Sequence, residues 1–242
     1  MNFKGIDIWL LVISIFLITS ILIYLLRKKN KSQLRTVFIF DILLTLIISL
    51  GVLVQSLCVN IFNANPLIFE NFIYIGTCFL PVSIYFTSLL FVNTKIRFKK
   101  YHLLLMVVPV ISLIVLWTNN YHHLFYVDYS SSFTETTFGP YMYVHTFYTY
   151  LLLFVGIIRL LHFSIKNSGF FSKQSLLFVL SILSPIIVNV LGGVLKVIPM
   201  TVFATPIAFA FSIICLTLAI FKFGFLQVAP IALQRIVDRI SD

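Results

Sequence analysis

Seven separate stretches of this chain, each near twenty residues, carry almost no charge. They run from Asp7 to Leu26, Val37 to Val59, Phe69 to Val92, His102 to Thr118, Met142 to Phe163, Gln174 to Leu195 and Val202 to Phe221. An α-helix rises about 1.5 Å per residue, so about 20 apolar residues cross the hydrocarbon of a bilayer. The stretches lack the apolar–polar alternation of barrel strands. Of the 242 residues, 60% are hydrophobic and 10% charged, whereas a soluble domain is about a quarter charged. A water-soluble fold of this length has too little interior to hide so much apolar side chain. The sequence therefore predicts an all-α membrane protein, a seven-helix transmembrane bundle with the lipid bilayer as its main partner.

The connections set the expected orientation. Arg27, Lys28, Lys29, Lys31 and Arg35 follow the first stretch. Lys95, Arg97, Lys99 and Lys100 follow the third, Lys166 and Lys173 the fifth, and Lys222, Arg235 and Arg239 the last. The other side has Lys4 and Lys196, together with Asp7, Glu70, Asp128 and Glu135. Basic loops stay in the cytoplasm, so the amino terminus is expected outside and the carboxyl terminus inside. The net charge of +10 is thus read as topology, and no nucleic-acid partner is expected. The first stretch is too long for a signal-peptide core and is followed by Arg27 to Lys29 without a small-residue cleavage site. It reads as a retained helix.

The residues show no arrangement for catalysis. No His-Glu-x-x-His pair, Gly-x-Ser-x-Gly turn or phosphate-cradling glycine loop occurs. Cys58, Cys78 and Cys215 lie inside apolar stretches, without metal spacing, and read as small packing residues. No cofactor or metal is expected. Asp41 is the one acid inside a span, near Arg35 and Lys95 to Lys100. It is expected to be a charge-paired anchor, with a proton site as the alternative. His122 and His123 are adjacent in an outer loop whose spacing matches no zinc pattern. They read as loop hydrogen-bonding or pH-responsive groups.

The loop from Asn119 to Tyr141 is the longest connection, both polar and aromatic. Such a loop packs as a lid or binds something. Gln55, Asn60, Glu70, Tyr74, Thr77, His145, Tyr148, Asn189 and Thr205 fall in the outer portions of their helices. Polar groups are costly in lipid, so they should turn inward. They either line an outward-opening cavity under the loop or bond one another to hold the bundle. Pro81, Pro109, Pro185 and Pro206 lie within the third, fourth, sixth and seventh helices and would bend them, although proline is also ordinary in membrane helices. After Pro230, Leu233, Ile236 or Val237, and Ile240 repeat at helical spacing. They predict a short amphipathic helix, for a parallel two-helix contact or for the inner leaflet.

These residues resemble a known family. Trp117-Thr118-Asn119-Asn120-Tyr121-His122-His123-Leu124-Phe125-Tyr126 is similar to the Trp-Thr-Asn then His-Leu-Phe motif at the end of the fourth helix in the amino-terminal seven-transmembrane region of bacterial membrane histidine kinases. Gly139-Pro140, Val144-His145 and Tyr148 to Leu153 resemble the family's start of the fifth helix, and Pro185 with Asn189 its sixth. Phe221 to Leu226, Pro230, Arg235 and Ser241-Asp242 look like its exit into a signalling helix. The resemblance implies a sensor domain at 1–224 and a cytoplasmic exit helix at 225–242, in a bacterial plasma membrane. In the family this region precedes a kinase, PAS or cyclase module, and it implies a homodimer. No such module is on this chain, so no enzyme activity carries over.

The sequence thus points to a sensory input domain that reads an extracellular or membrane cue. The ligand, an unknown small molecule or peptide, is expected near Trp117, Asn119, His122, His123, Phe125, Tyr126, His145, Tyr148 and Asn189. The output is expected through Phe225, Pro230, Leu233, Ile236 and Ile240. A small transporter is the alternative, and an intramembrane enzyme a third reading that lacks a nucleophile with its base.

Overall fold

A computed structural model describes residues 5–28, 32–93, 95–130, 135–167, 169–195, 197 and 203–223. Seven helices, 18 to 30 residues long, are apolar enough to cross a membrane. The helices are α1 (Gly5–Arg27), α2 (Gln33–Phe62), α3 (Pro66–Asn93), α4 (Val107–Trp117), α5 (Asn119–His122), α6 (Pro140–Lys166), α7 (Phe170–Asn189) and α8 (Ala204–Phe221). α5 is a single turn outside the spans. The expected output residues Phe225, Pro230, Leu233, Ile236 and Ile240 lie outside the described residues.

The apolar pattern explains the packing. In α1, Leu11, Ser14, Ile18, Leu22 and Leu25 are buried, while Trp9, Ile13, Phe16, Ile23 and Leu26 are exposed. The buried set recurs every three or four residues, one face of a helix. The outward face is equally apolar, as a lipid-facing surface must be. Neighbouring helices close a ring in the order α1, α2, α3, α6, α7, α8 and back to α1. α4 sits beside the ring against α3 and α6. The approach of α2 and α3 depends on a small residue: a Cβ on Gly76 would stand 2.7 Å from the Leu44 carbonyl oxygen and 2.6 Å from Ile48 Cγ1. Lipid gives apolar helices no hydrophobic reason to associate, so close packing of this kind holds them together.

Several helix ends differ from the sequence expectation, for identifiable reasons. α2 starts at Gln33 because Ser32 Oγ accepts from Arg35 N at 3.1 Å, and it continues to Phe62, where Asn63 takes a left-handed turn at φ 50°. The fourth span opens as a 3-10 segment, Lys100–Met106, before α4. Pro109 and Pro206 are the third residues of α4 and α8. Pro206 thus falls in the first turn of α8, where a missing N–H is tolerated, whereas Pro109 follows the 3-10 segment without a break and leaves the Leu105 carbonyl to Tyr148 Oη at 2.5 Å. Pro81 and Pro185 are interior. Pro185 frees the Ser181 carbonyl, and Ser212 Oγ of α8 donates to it at 2.6 Å. A proline in α7 thereby becomes a polar contact between α7 and α8.

Asp41 departs most from expectation. Arg35 does not pair with it. The Arg35 Nε donates to the Leu25 carbonyl at 2.9 Å, and its Nη2 to the Leu25 and Leu26 carbonyls at 2.5 and 3.3 Å. A guanidinium there satisfies the open carbonyls at the carboxyl end of α1 and suits the helix dipole. Asp41 instead accepts from Thr87 Oγ1 of α3 at 2.6 Å.

Candidate functional site

The loop after α4 forms a cap over one end of the bundle. Trp117 Nε1 donates to the Asn71 carbonyl at 3.1 Å, which pins the end of α4 to α3. Asn119, buried, then organises the turn. Its Oδ1 accepts from Phe125 N at 2.9 Å and Tyr126 N at 3.0 Å, and its Nδ2 donates to the Tyr126 carbonyl at 2.9 Å. His122 Nδ1 accepts from Leu124 N at 3.0 Å, and its Nε2 lies 3.0 Å from Thr118 Oγ1. His123 takes a left-handed conformation at φ 52°, which turns the chain back. β1 (Tyr126–Asp128) and β2 (Thr137–Phe138) pair antiparallel. Gly139 lets the returning strand touch this turn: a Cβ there would meet the Leu124 carbonyl oxygen at 2.2 Å. Gly139 N and Tyr141 N donate to the Phe125 and Leu124 carbonyls, each at 2.9 Å.

Under the cap lies a buried aromatic and acidic cluster. Glu70 of α3 receives Tyr129 Oη at 2.9 Å and faces Tyr126 Oη at 3.2 Å and Gln55 Nε2 at 3.5 Å. Tyr126 Oη is also 3.0 Å from Tyr74 Oη. Burial first, then the Glu70 carboxyl beside Tyr129 and the Tyr74 phenol and Glu70 beside Tyr126, pushes both phenols above the ordinary tyrosine value. Both therefore remain hydrogen-bond donors at neutral pH. His145 Nδ1 lies 3.1 Å from Ser112 Oγ. Its ring packs between Tyr74 and Phe125, with centroids 5.6 and 5.7 Å away. α2, α3, α4, α6 and the cap thus meet at one place.

A cavity of about 170 Å³ lies deeper, inside the ring, walled by α2, α3, α6, α7 and α8. Most of its wall is aliphatic or aromatic. Phe38 and Phe178, edge to face with centroids 6.5 Å apart, are part of the wall toward the basic end. Thr205 and Asn189, joined by a 2.7 Å hydrogen bond, are part of it toward the cap. Asp41 is in this wall, although only 5% of its surface is exposed. Its Oδ1 has no hydrogen-bond partner, and neither does Thr149 Oγ1, also in the wall.

The expected site residues therefore divide. Asn119, His122, Phe125, Tyr126 and His145 come together, but as the frame of the cap, with their polar atoms occupied by one another or by backbone. Trp117 is its lipid-side anchor, and His123 is exposed. Tyr148 is elsewhere, with Oη 2.5 Å from the Leu105 carbonyl. Asn189 belongs to the cavity. Sequence reasoning missed Ser112 and Thr149, and it misplaced Asp41. The usable signal was that an acid within a span is costly and so must face the bundle interior.

Six apolar helices closing a ring around a partly polar cavity, with a seventh span beside them, define a multi-pass membrane protein with a built interior. The family model for the N-terminal 7TM region of histidine kinase matches residues 10–230. This chain belongs to that family of membrane sensory domains. No curated protein and no solved structure matches it.

Proposed function

We propose that this chain is the sensory input domain of a histidine-kinase-type receptor in a bacterial plasma membrane. The cap faces outward, the basic end faces the cytoplasm, and a cue is passed to a cytoplasmic output through α8. The place of α8 carries this reading. Thr205, Phe209, Ser212, Ile213 and Leu216 of α8 are all in the cavity wall, and residues 224–242 follow this helix in the sequence. At its basic end, Gln174 Nε2 of α7 donates to the Phe223 carbonyl, and Tyr24 of α1 packs on Phe221 at 4.6 Å. A ligand that prefers one packing of α8 over another shifts the population of the two, and with it the output.

The cap serves this reading as the rigid outer lid. In a full-length receptor carrying this region, replacing residues 121–140 by a neutral linker should abolish the response to the cue. Normal signalling after that replacement overturns the role of the cap. Pairing of two copies through the exit segment belongs to the same reading, and cross-linking of single cysteines at Leu233 and Ile240 in native membranes tests it.

A further inference from the structure

We infer that the connection between α3 and α4, at Lys95 to Lys100, is a binding site for one acidic phospholipid, with the lipid phosphate among the cations and an acyl chain against Leu103 and Leu104. The inference stands apart from the sensory reading, because it rests on the depth, the anchoring and the charge of this segment.

The fourth span fixes the depth. It joins the 3-10 segment Lys100–Met106 to α4 without a break. At about 2.0 Å per residue for the first part and about 1.5 Å for the second, the span rises about 30 Å. The hydrocarbon core of a bilayer is about 30 Å thick. With Trp117 at one boundary, where tryptophan is favoured, Lys100 stands at the other, level with the headgroup phosphates. Leu103 and Leu104, 68% and 69% exposed, follow within the hydrocarbon.

The segment is anchored, which makes it a site rather than a loose basic loop. Gln33 of α2 holds it with both ends of its amide: Nε2 donates to the Ile96 carbonyl at 3.2 Å, and Oε1 accepts from Ile96 N at 3.0 Å. Phe98 packs on Phe86 and His102, with ring centroids 5.4 and 5.9 Å away. Lys99 N donates to His102 Nδ1 at 2.9 Å. Around these anchors Lys95, Arg97, Lys99 and Lys100 are all exposed. The described acids are elsewhere. Asp41 is buried against Thr87, Glu70, Asp128 and Glu135 bond within or under the cap, and Asp7 is in the first turn of α1, the end far from Arg27.

Charge and depth together set the class of partner. Lysine and arginine make charge-assisted hydrogen bonds to phosphate oxygens, and arginine can do so with two donors at once. A soluble anion would meet the cations but would leave the adjoining leucines unused. A zwitterionic lipid brings its own ammonium against the same cations. An acidic phospholipid supplies uncompensated negative charge at the level of Lys100 and a chain at the level of Leu104.

Titration of the full chain in detergent micelles with dipalmitoyl phosphatidylglycerol, with bound lipids counted by native mass spectrometry, tests this. One phosphatidylglycerol should bind at least tenfold more tightly than phosphatidylcholine of the same chains. Changing Lys95, Arg97, Lys99 and Lys100 together to Gln should weaken it at least tenfold, with helix content by circular dichroism unchanged. Gln33→Ala removes no charge, yet it should weaken binding several-fold, because it frees the segment. Lys166→Gln with Lys173→Gln removes two cations of another connection and should change nothing. Glycerophosphoglycerol, the headgroup without chains, should not displace the lipid. The inference is overturned if phosphatidylcholine binds as tightly, or if the fourfold variant binds normally. It is overturned equally if Gln33→Ala has no effect or the Lys166 and Lys173 pair matters as much, since charge alone would then explain binding. Displacement by glycerophosphoglycerol would make the segment a site for soluble anions and would also overturn it.

Discussion

Asn119 shows how much structure one side chain can hold. It satisfies two backbone N–H groups and one carbonyl, at Phe125 and Tyr126, which are 0% and 3% exposed. Leaving such buried groups unpaired costs about 1–3 kcal/mol each before relaxation. Asn119→Ala should therefore destabilise the domain by about 2–3 kcal/mol, read as a lower midpoint in detergent unfolding, with new protease cleavage between 124 and 138. Asn119→Asp keeps the acceptor and should lie between the two. Equal stability of the alanine variant would mean that the cap is held elsewhere. The motif was legible in the sequence, but its purpose was not. The resemblance to the family's motif picked out Asn119, His122 and Phe125; only the folded turn shows that the first two bond backbone rather than a ligand. Asp41 was misread for a similar reason. Arg35 is six residues away in sequence, yet the open carbonyls at the end of α1 compete for the same guanidinium and win.

Helices and their interruptions are the next scale. The existence of the seven spans followed from length and hydropathy alone, because the bilayer leaves few other folds for such stretches. Their ends did not, since those depend on single contacts: Ser32 at the start of α2, or the position of Pro206 in the first turn of α8. Pro185 offers a quantitative check. It leaves the Ser181 carbonyl open, and Ser212 Oγ fills it at 2.6 Å. Ser212→Ala should cost about 1 kcal/mol in the wild type. In a Pro185→Ala background, where the helix supplies its own donor, the cost should fall by about half or more. A double-mutant cycle on unfolding in mixed micelles measures this coupling. Equal costs in both backgrounds would show that Ser212 is not coupled to the carbonyl that Pro185 leaves open.

The whole molecule is a closed ring with three of its properties arranged along one axis. The cap and the Glu70 cluster lie at one end, the cavity lies in the middle, and Arg35, Lys95 to Lys100 and the end of α8 lie at the other. Charge patterning predicted that asymmetry, and it is what gives the sensory reading a direction. Of the polar residues expected around an interior cavity, Thr77, Asn189 and Thr205 do line it, but its place and its apolar wall were not legible, because they combine residues from five helices whose order around the ring no single segment reveals. α4 illustrates the same limit: it stands beside the ring, and α3 meets α6 directly.

Orientation is the claim on which the account turns, since a cue read at the cap must reach an output on the far side. The direct measurement uses intact cells that carry one cysteine in place of Glu135, in a background without the native cysteines, and a fluorescent protein fused after Asp242. The account predicts that a membrane-impermeant maleimide labels the cysteine from outside while the fused protein folds and fluoresces in the cytoplasm. Labelling of that cysteine only after lysis, with the fusion dark or accessible from the outer surface, would contradict it.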